Sequence, residues 1–319
     1  MPYKITIEPA GVTYTSENNL LDDALNQAVP IEYSCKTGDC RTCQAEIISG
    51  SAKNEHNEIV CNGSILTCQS KAQSNLTLKV NYYPELKDIK VQTLPCKISS
   101  IKYITDDIII LKLRLPPTNN FTYLPGQYID LIYKNIKRSY SIANINSKEL
   151  ELHIRYVPSG IMSDYIFKQF SENQLMRIEG PKGTFFVRHN SKSLILIATG
   201  TGIAPIKAIL EQLLAINDPR HVYIYWGMQY KNELYCTEIE QYAKKFPHIH
   251  FNPVLSKESD WKGHQGYVQN AVIKDFDSLA TMEVYACGSL NMIQEAQDLF
   301  FQYGLPSDAF HSDAFTPAK

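Results

Sequence analysis

The spacing of apolar residues changes character twice along the chain. Up to residue 80, short alternating runs at 3–7, 12–15, 45–48 and 76–80 predict strands, because every second side chain of a half-buried strand faces the core. One stretch breaks the alternation: Leu20, Leu21, Ala24, Leu25 and Ala28 recur at helical spacing. Together these predict a small α+β unit. Asn81 to Leu86 close it, and the polar residues up to Thr93 read as a linker.

From Pro95 the pattern is strand-dense, with runs at 96–104, 108–115, 128–132, 139–142 and 150–157. Asp106-Asp107, Pro116-Pro117 and Pro125-Gly126 supply turns between them. Short strands at that spacing predict an antiparallel β-barrel reaching to residue 190. Beyond it, strands (193–198, 221–226, 250–254, 283–286) alternate with helices (205–216, 238–245, 267–274, 291–301). That alternation predicts an α/β doubly wound parallel sheet. The expected division is 1–90, 91–190 and 191–319.

Composition narrows the class. At 319 residues the chain is long for one domain. A net charge of −2 leaves no basic footprint for nucleic acid. No apolar run reaches the length of a membrane span, and Met1 to Ile7 alternates instead of showing a basic-then-apolar leader. The 8 cysteines therefore suggest metal chemistry in a reducing, cytoplasmic setting.

Four of those cysteines carry the first constellation. Cys35, Cys40 and Cys43 stand at C-x4-C-x2-C, with Cys68 as a distant fourth. This is the plant-type spacing for a [2Fe–2S] cluster: a loop hinged on Gly38 brings three thiolates to one place, and the fourth arrives from another segment. Zinc usually takes two C-x-x-C knuckles, and only Cys40 and Cys43 make one. Cys61 reads as a bystander.

In the barrel, Arg138, Ser139, Tyr140 and Ser141 place a cation, an aromatic face and two hydroxyls along one strand. That set suits a flavin: a cation for the pyrophosphate, a ring face, and a hydroxyl near N5. A solvent-facing strand would explain it as well. Val157 to Ser163 offers Gly160 opening a helix with Met162 and Ser163 in its first turn, a place where free N–H groups can hold an anion. An ordinary glycine turn reads the same way. In the α/β region, Gly200, Thr201, Gly202 and Pro205 follow an apolar strand, as a dinucleotide turn does. Cys287 and Gly288 end a later strand at the same sheet edge, where a small buried thiol is the plainer explanation.

Taken together these motifs resemble the ferredoxin–NADP reductase superfamily, in the arrangement with an N-terminal, β-grasp-like plant-type ferredoxin domain. The resemblance implies FAD, a [2Fe–2S] cluster and NADH. It implies flavin contacts from Arg138 to Ser141, His153, Ile154, Arg155, Gly160, Met162 and Ser163. Nicotinamide contacts fall on Gly200, Thr201, Gly202, Pro205, Gly227, Met228 and Gly288, with Ser141 and Cys287 at the transfer site and Phe315 covering the flavin. Gly227 to Tyr230 offers no cation for a 2′-phosphate, although Lys231 is close, which favours NADH. The stretches Asn81 to Leu86, Tyr225 to Met228, Val284 to Ser289 and Ser312 to Phe315 are similar to the branch whose protein acceptor is a pyridoxamine-phosphate-dependent dehydrase of 3,6-dideoxyhexose biosynthesis. The alternative within the superfamily is the reductase component of a multicomponent oxygenase. Arg41 stands where that family more often carries a small residue.

Overall fold

The computed structural model describes residues 2–315. It divides into two compact units, one running to Lys90 and taking in Lys182–Thr184, the other comprising Val91–Pro181 and Phe185 onward.

The first unit is a five-stranded mixed sheet with one helix packed on it. In sheet order its strands are Val12–Ser16, Tyr3–Glu8, Leu76–Lys79, Gln44–Ser49 and Ser64–Leu66. Tyr3–Glu8 pairs parallel with Leu76–Lys79 and antiparallel with Val12–Ser16. A three-stranded sheet of two-residue strands lies alongside. Ile5, Ile7, Leu20, Leu21, Ala24, Ile47 and Leu78 form the core, the alternating strand positions meeting one helix face. The helix Leu20–Asn26 is capped by Asn19, whose Oδ1 accepts from the N–H groups of Leu21 and Asp22 at 3.1 Å. Such a cap stabilises a helix start by about 1 kcal/mol.

The second unit holds both remaining architectures. Its barrel is a six-stranded antiparallel sheet ordered Ile136–Ser141, Tyr128–Tyr133, Leu175–Lys182, Gln92–Tyr103, Ile108–Arg114 and Glu149–Arg155. A bridge between Ile142 and Leu152 brings the first strand back toward the last. Leu111, Leu113, Ile129, Leu131, Leu150 and Leu152 fill its interior.

The α/β part is a six-stranded parallel sheet. Its order is His264–Gln265, Ile249–Leu255, Val222–Met228, Ser193–Thr199, Met282–Ser289 and Phe310–Phe315. Strand order reverses between Ser193–Thr199 and its neighbour Met282–Ser289, so the two carboxyl ends open a crevice there. The helices Ile203–Ala215 and Leu290–Gln302 start from those ends. Leu194, Leu196, Ile206, Leu210, Ile224 and Tyr285 make the core beneath. No helix among the described residues is long and apolar enough to cross a membrane.

Candidate functional site

The cysteine loop owes its shape to left-handed backbone at Lys36, Gly38 and Arg41, with φ of 59°, 86° and 60°. Alternating handedness turns N–H groups to the inside of a loop and forms an anion-accepting nest. Two of them, from Thr37 and Cys40, point at Cys35 Sγ at 3.4 and 3.5 Å. A non-glycine residue in this conformation costs about 1–2 kcal/mol, a cost that Lys36 and Arg41 both carry. The fourth cysteine is held independently: Asn19 Nδ2 donates to the Cys68 carbonyl at 2.5 Å, and Gln69 Nε2 reaches the Lys36 carbonyl at 3.1 Å. Gly38 has no side chain to displace Gln69, whose Cγ would lie 3.1 Å from an added Cβ.

The thiols stand as pairs. Cys43 Sγ and Cys68 Sγ are 3.1 Å apart, and Cys35 hydrogen-bonds with Cys40. Within each pair the acceptor, Cys35 or Cys68, is pulled below the ordinary thiol range, chiefly by its partner's hydrogen bond and against the effect of burial. No three His, Cys, Asp or Glu side chains among the described residues converge as a mononuclear ion requires. Two pairs of thiols instead match two irons with two thiolates each, and the donor set fits a [2Fe–2S] cluster. Cys61 is exposed.

In the second unit a cavity of about 970 Å³ opens at the sheet's reversal point, between the barrel and the parallel sheet. Its size suits a ligand larger than most single small molecules. Tyr140, Ser141, His153 and Arg155 line it from the barrel; Gly200, Thr201, Gly227 and Met228 line it from the parallel sheet. Phe315, at the end of the edge strand, lines it too and is partly exposed.

Several expected residues lie behind that lining. Arg138 donates to the Lys137 carbonyl at 2.7 Å and does not reach the cavity; Arg155 is the guanidinium that does. Ser139 is at the wall, but its hydroxyl is bound to Asp130 Oδ1 at 2.6 Å. Ile154 points into the barrel core, 1% exposed, because the alternation that turns His153 toward the cavity turns Ile154 away. Ser163 is buried and spends its hydroxyl on its own turn, donating toward the carbonyls of Val157 and Gly160 at 2.9 Å, while Met162 is buried in the core. Helix Ile161–Lys168 begins at Gly160 with no side-chain cap. Gly202 and Pro205 are buried supports of the turn, and Gly288, at φ 145°, lies under Thr199.

Cys287 is fully buried and packs in the core of the parallel sheet; burial pushes its thiol well up, with the Asp313 carboxylate adding to the effect. Beside it stands Asp313, to which the sequence motifs give no role of its own. Asp313 pairs with Cys287 across the edge strand and accepts from Ser141 Oγ at 3.3 Å. Thr199, Glu233, Tyr267 and Ser289 also line the cavity and went unnoticed. Recognising a strand in the tail would have exposed Asp313, two residues before Phe315 and therefore on the same face.

Three family models match in the order the fold displays. They are a 2Fe-2S iron-sulfur cluster binding domain over 5–73, an oxidoreductase FAD-binding domain over 95–187 and an oxidoreductase NAD-binding domain over 196–298. The chain is 47% identical to a CDP-6-deoxy-L-threo-D-glycero-4-hexulose-3-dehydrase reductase of Yersinia pestis, covering 100% of both chains. It is 31% identical to the phenol hydroxylase P5 protein of Acinetobacter pittii, over 100% of this chain and 96% of the other. Among solved structures, an Amycolatopsis cytochrome P450 reductase superposes with a TM-score of 0.80 at 24% identity, covering 99% of this chain and 100% of the other.

Proposed function

The chain belongs to the iron–sulfur flavoprotein reductases that join a ferredoxin domain to the flavin and nicotinamide domains of the ferredoxin–NADP reductase superfamily, and on that premise we propose that it is the NADH-dependent reductase serving a CDP-4-keto-6-deoxyhexose 3-dehydrase. It is an oxidoreductase that binds a [2Fe–2S] cluster, FAD and NAD(H). The observation that carries the choice of acceptor is full-length 47% identity to a dehydrase reductase, against 31% to an oxygenase component. The ferredoxin, flavin and nicotinamide parts are assigned to 1–90, 91–190 and 191–319.

When bound, the flavin accepts an electron pair from NADH and the cluster delivers electrons singly to a protein acceptor. The chain's own residues bind, orient and insulate. Cys35, Cys40, Cys43 and Cys68 would hold the irons, and the loop's inward N–H groups would disperse negative charge on sulfur. Tyr140 presents an aromatic wall for the flavin and Arg155 a cation at the cavity. The Gly200–Gly202 turn, with Thr199 and Gly227, would seat the nicotinamide coenzyme. Ser141 Oγ is oriented by Asp313, so a proton at the flavin wall has a hydroxyl and then a carboxylate through which to leave. Phe315 closes the far side from the edge strand.

Reconstitution decides the acceptor. Mixed with NADH and the pyridoxamine-phosphate-dependent dehydrase loaded with its sugar nucleotide, the protein should consume NADH stoichiometrically with deoxygenated sugar. Electron delivery to an oxygenase component but not to the dehydrase would overturn the assignment. NADH-driven ferricyanide reduction separately tests whether the protein turns over at all.

A further inference from the structure

A buried polar chain runs behind the cavity, and of its members only His153, at the wall, has entered the reductase reading. Lys207, 5% exposed, lies in helix Ile203–Ala215 just beyond the nicotinamide turn. Its Nζ donates to Glu211 Oε1 at 2.6 Å, to the Ala143 carbonyl at 3.2 Å and to Glu151 Oε1 at 3.2 Å. Glu151 belongs to the barrel strand Glu149–Arg155, and the same oxygen meets His153 Nε2 at 3.1 Å. The other ring nitrogen, Nδ1, meets the Tyr235 hydroxyl at 3.0 Å. Tyr235 stands edge-on to Trp226, ring centroids 5.2 Å apart, and Trp226 Nε1 donates to the Gly200 carbonyl at 2.9 Å. One end of the chain is therefore anchored in the helix after the turn, the other on the turn itself, and His153 stands in the middle at the cavity wall.

The charges fix the ring. A buried ammonium has to be matched by carboxylate, and Lys207 is matched by Glu151 and Glu211. Burial alone would raise Glu151, but hydrogen bonds from His153 and Lys207, with the Lys207 charge, hold it down to about 2. An ionised carboxylate only accepts, so Nε2 carries the hydrogen, and in the neutral form of the ring Nδ1 accepts from Tyr235 O–H. Held at both nitrogens, the imidazole cannot turn without losing a partner. The same logic orients histidines around metals, where the second nitrogen's partner sets tautomer and angle.

We propose that His153 is a positioning residue for hydride transfer, clamped by Glu151–Lys207 on one side and Tyr235–Trp226 on the other so that the flavin wall and the Gly200 turn keep a fixed separation. This rests on the reductase reading. Hydride transfer needs reacting atoms about 3–3.5 Å apart, and a displacement of about 1 Å costs about a hundredfold in rate. A clamp across the two walls holds that tolerance where packing of either wall alone does not.

The test uses full-length protein carrying FAD and cluster. Tyr235→Phe removes one oxygen and keeps the ring against Trp226; His153→Gln keeps a donor for Glu151 and loses the Tyr235 partner. Each should slow single-turnover flavin reduction by NADH about tenfold, the effect of one lost hydrogen bond. The equilibrium dissociation constant for NAD⁺, read from the flavin spectrum, should stay within about twofold, since neither side chain is among those that seat the nicotinamide coenzyme. The double variant should be no slower than the slower single, because both break one clamp. A second readout needs no variant and no turnover: ¹⁵N spectra of imidazole-labelled protein should show His153 protonated at Nε2.

Wild-type reduction rates in both single variants, additive losses in the double, or an Nδ1–H tautomer would each overturn the proposal. Variants that lose only thermal stability would reduce His153 to a satisfied core histidine. If the unsubstituted protein fails to reduce its flavin with NADH, the reductase reading itself falls, and that outcome is distinguishable because it needs no substitution.

Discussion

Gly202→Ala offers the sharpest test of where the nicotinamide coenzyme sits. An added Cβ at Gly202 would land on the carbonyl of Cys287, 2.7 Å from its carbon and 3.1 Å from Gly288 Cα. Ordinary carbon–carbon contacts begin at about 3.5 Å, so the turn and the end of strand Met282–Ser289 must separate by about 1 Å. Neither side is a flexible side chain. Both are backbone, and Ala198 is paired with Cys287 in the parallel ladder. Overpacking of this kind costs about 1–3 kcal/mol of stability. The functional cost is of the same size, because a turn displaced by about 1 Å forfeits up to about a hundredfold in hydride transfer, about 2.7 kcal/mol. The assay is NADH-driven ferricyanide reduction by protein whose FAD and iron content match wild type, with dithionite reduction of the flavin as a check on the cofactor. Gly63→Ala is the control: its Cβ meets nothing within 4 Å, although φ is 80°, so it should cost about 1–2 kcal/mol of stability and leave turnover alone. Gly202→Ala protein with wild-type kcat/KM and melting temperature would refute the argument.

Other expectations follow from the same cavity. Ser141→Ala should retain FAD but slow flavin reduction at least about tenfold, measured by stopped-flow absorbance; unchanged rates would remove Ser141 from the transfer site. NADH should be preferred to NADPH by about tenfold or more, because Gly227 to Tyr230 offer no cation to a 2′-phosphate and one missing charge-assisted bond is worth about 1.5–3 kcal/mol. Glu233 strengthens that preference, as it lines the cavity with its carboxylate bound to the N–H groups of Gln229 and Tyr230; Glu233→Gln should narrow the ratio of kcat/KM values. Glu151, held down to about 2, adds stability that is complete above the ordinary glutamate pKa of about 4.3 and disappears as pH falls through its folded value. Thermal unfolding followed by tryptophan fluorescence should therefore lose less between pH 5 and 3 in Glu151→Gln than in wild type, from a lower starting point.

The fold was legible wherever periodicity was strong. The apolar run at 193–198 and the alternation at 108–115 coincide with strands Ser193–Thr199 and Ile108–Arg114. Leu175–Lys182 escaped notice because Gly180-Pro181 punctuates it like a turn, although Met176 and Ile178 face inward. Phe310–Phe315 escaped because His311, Ser312 and Asp313 make it look like a polar tail. Its burial depends on parallel pairing with Met282–Ser289, which leaves no local signature. The same blindness explains the site. Spacing brought out the four cysteines that stand as two pairs, and residue type brought out Tyr140, Ser141 and the glycine turn that line the cavity. Whether Arg138 or Arg155 faces the cavity, and whether Ser163 is free or tied into its turn, depends on partners distant in sequence or on rotamers.

Lys182–Thr184, grouped with the first unit, carries a last consequence. Thr184 Oγ1 donates to the Tyr33 carbonyl at 2.9 Å, and Gly183 N–H donates to the Tyr33 hydroxyl at 2.9 Å, two residues before the first cluster cysteine. The first compact unit is thus discontinuous in sequence. A chimaera that exchanges only the first 90 residues between relatives would graft the cysteine loop without the tripeptide that fastens its root. An exchange that carries Lys182–Thr184 along with the first 90 residues keeps both hydrogen bonds.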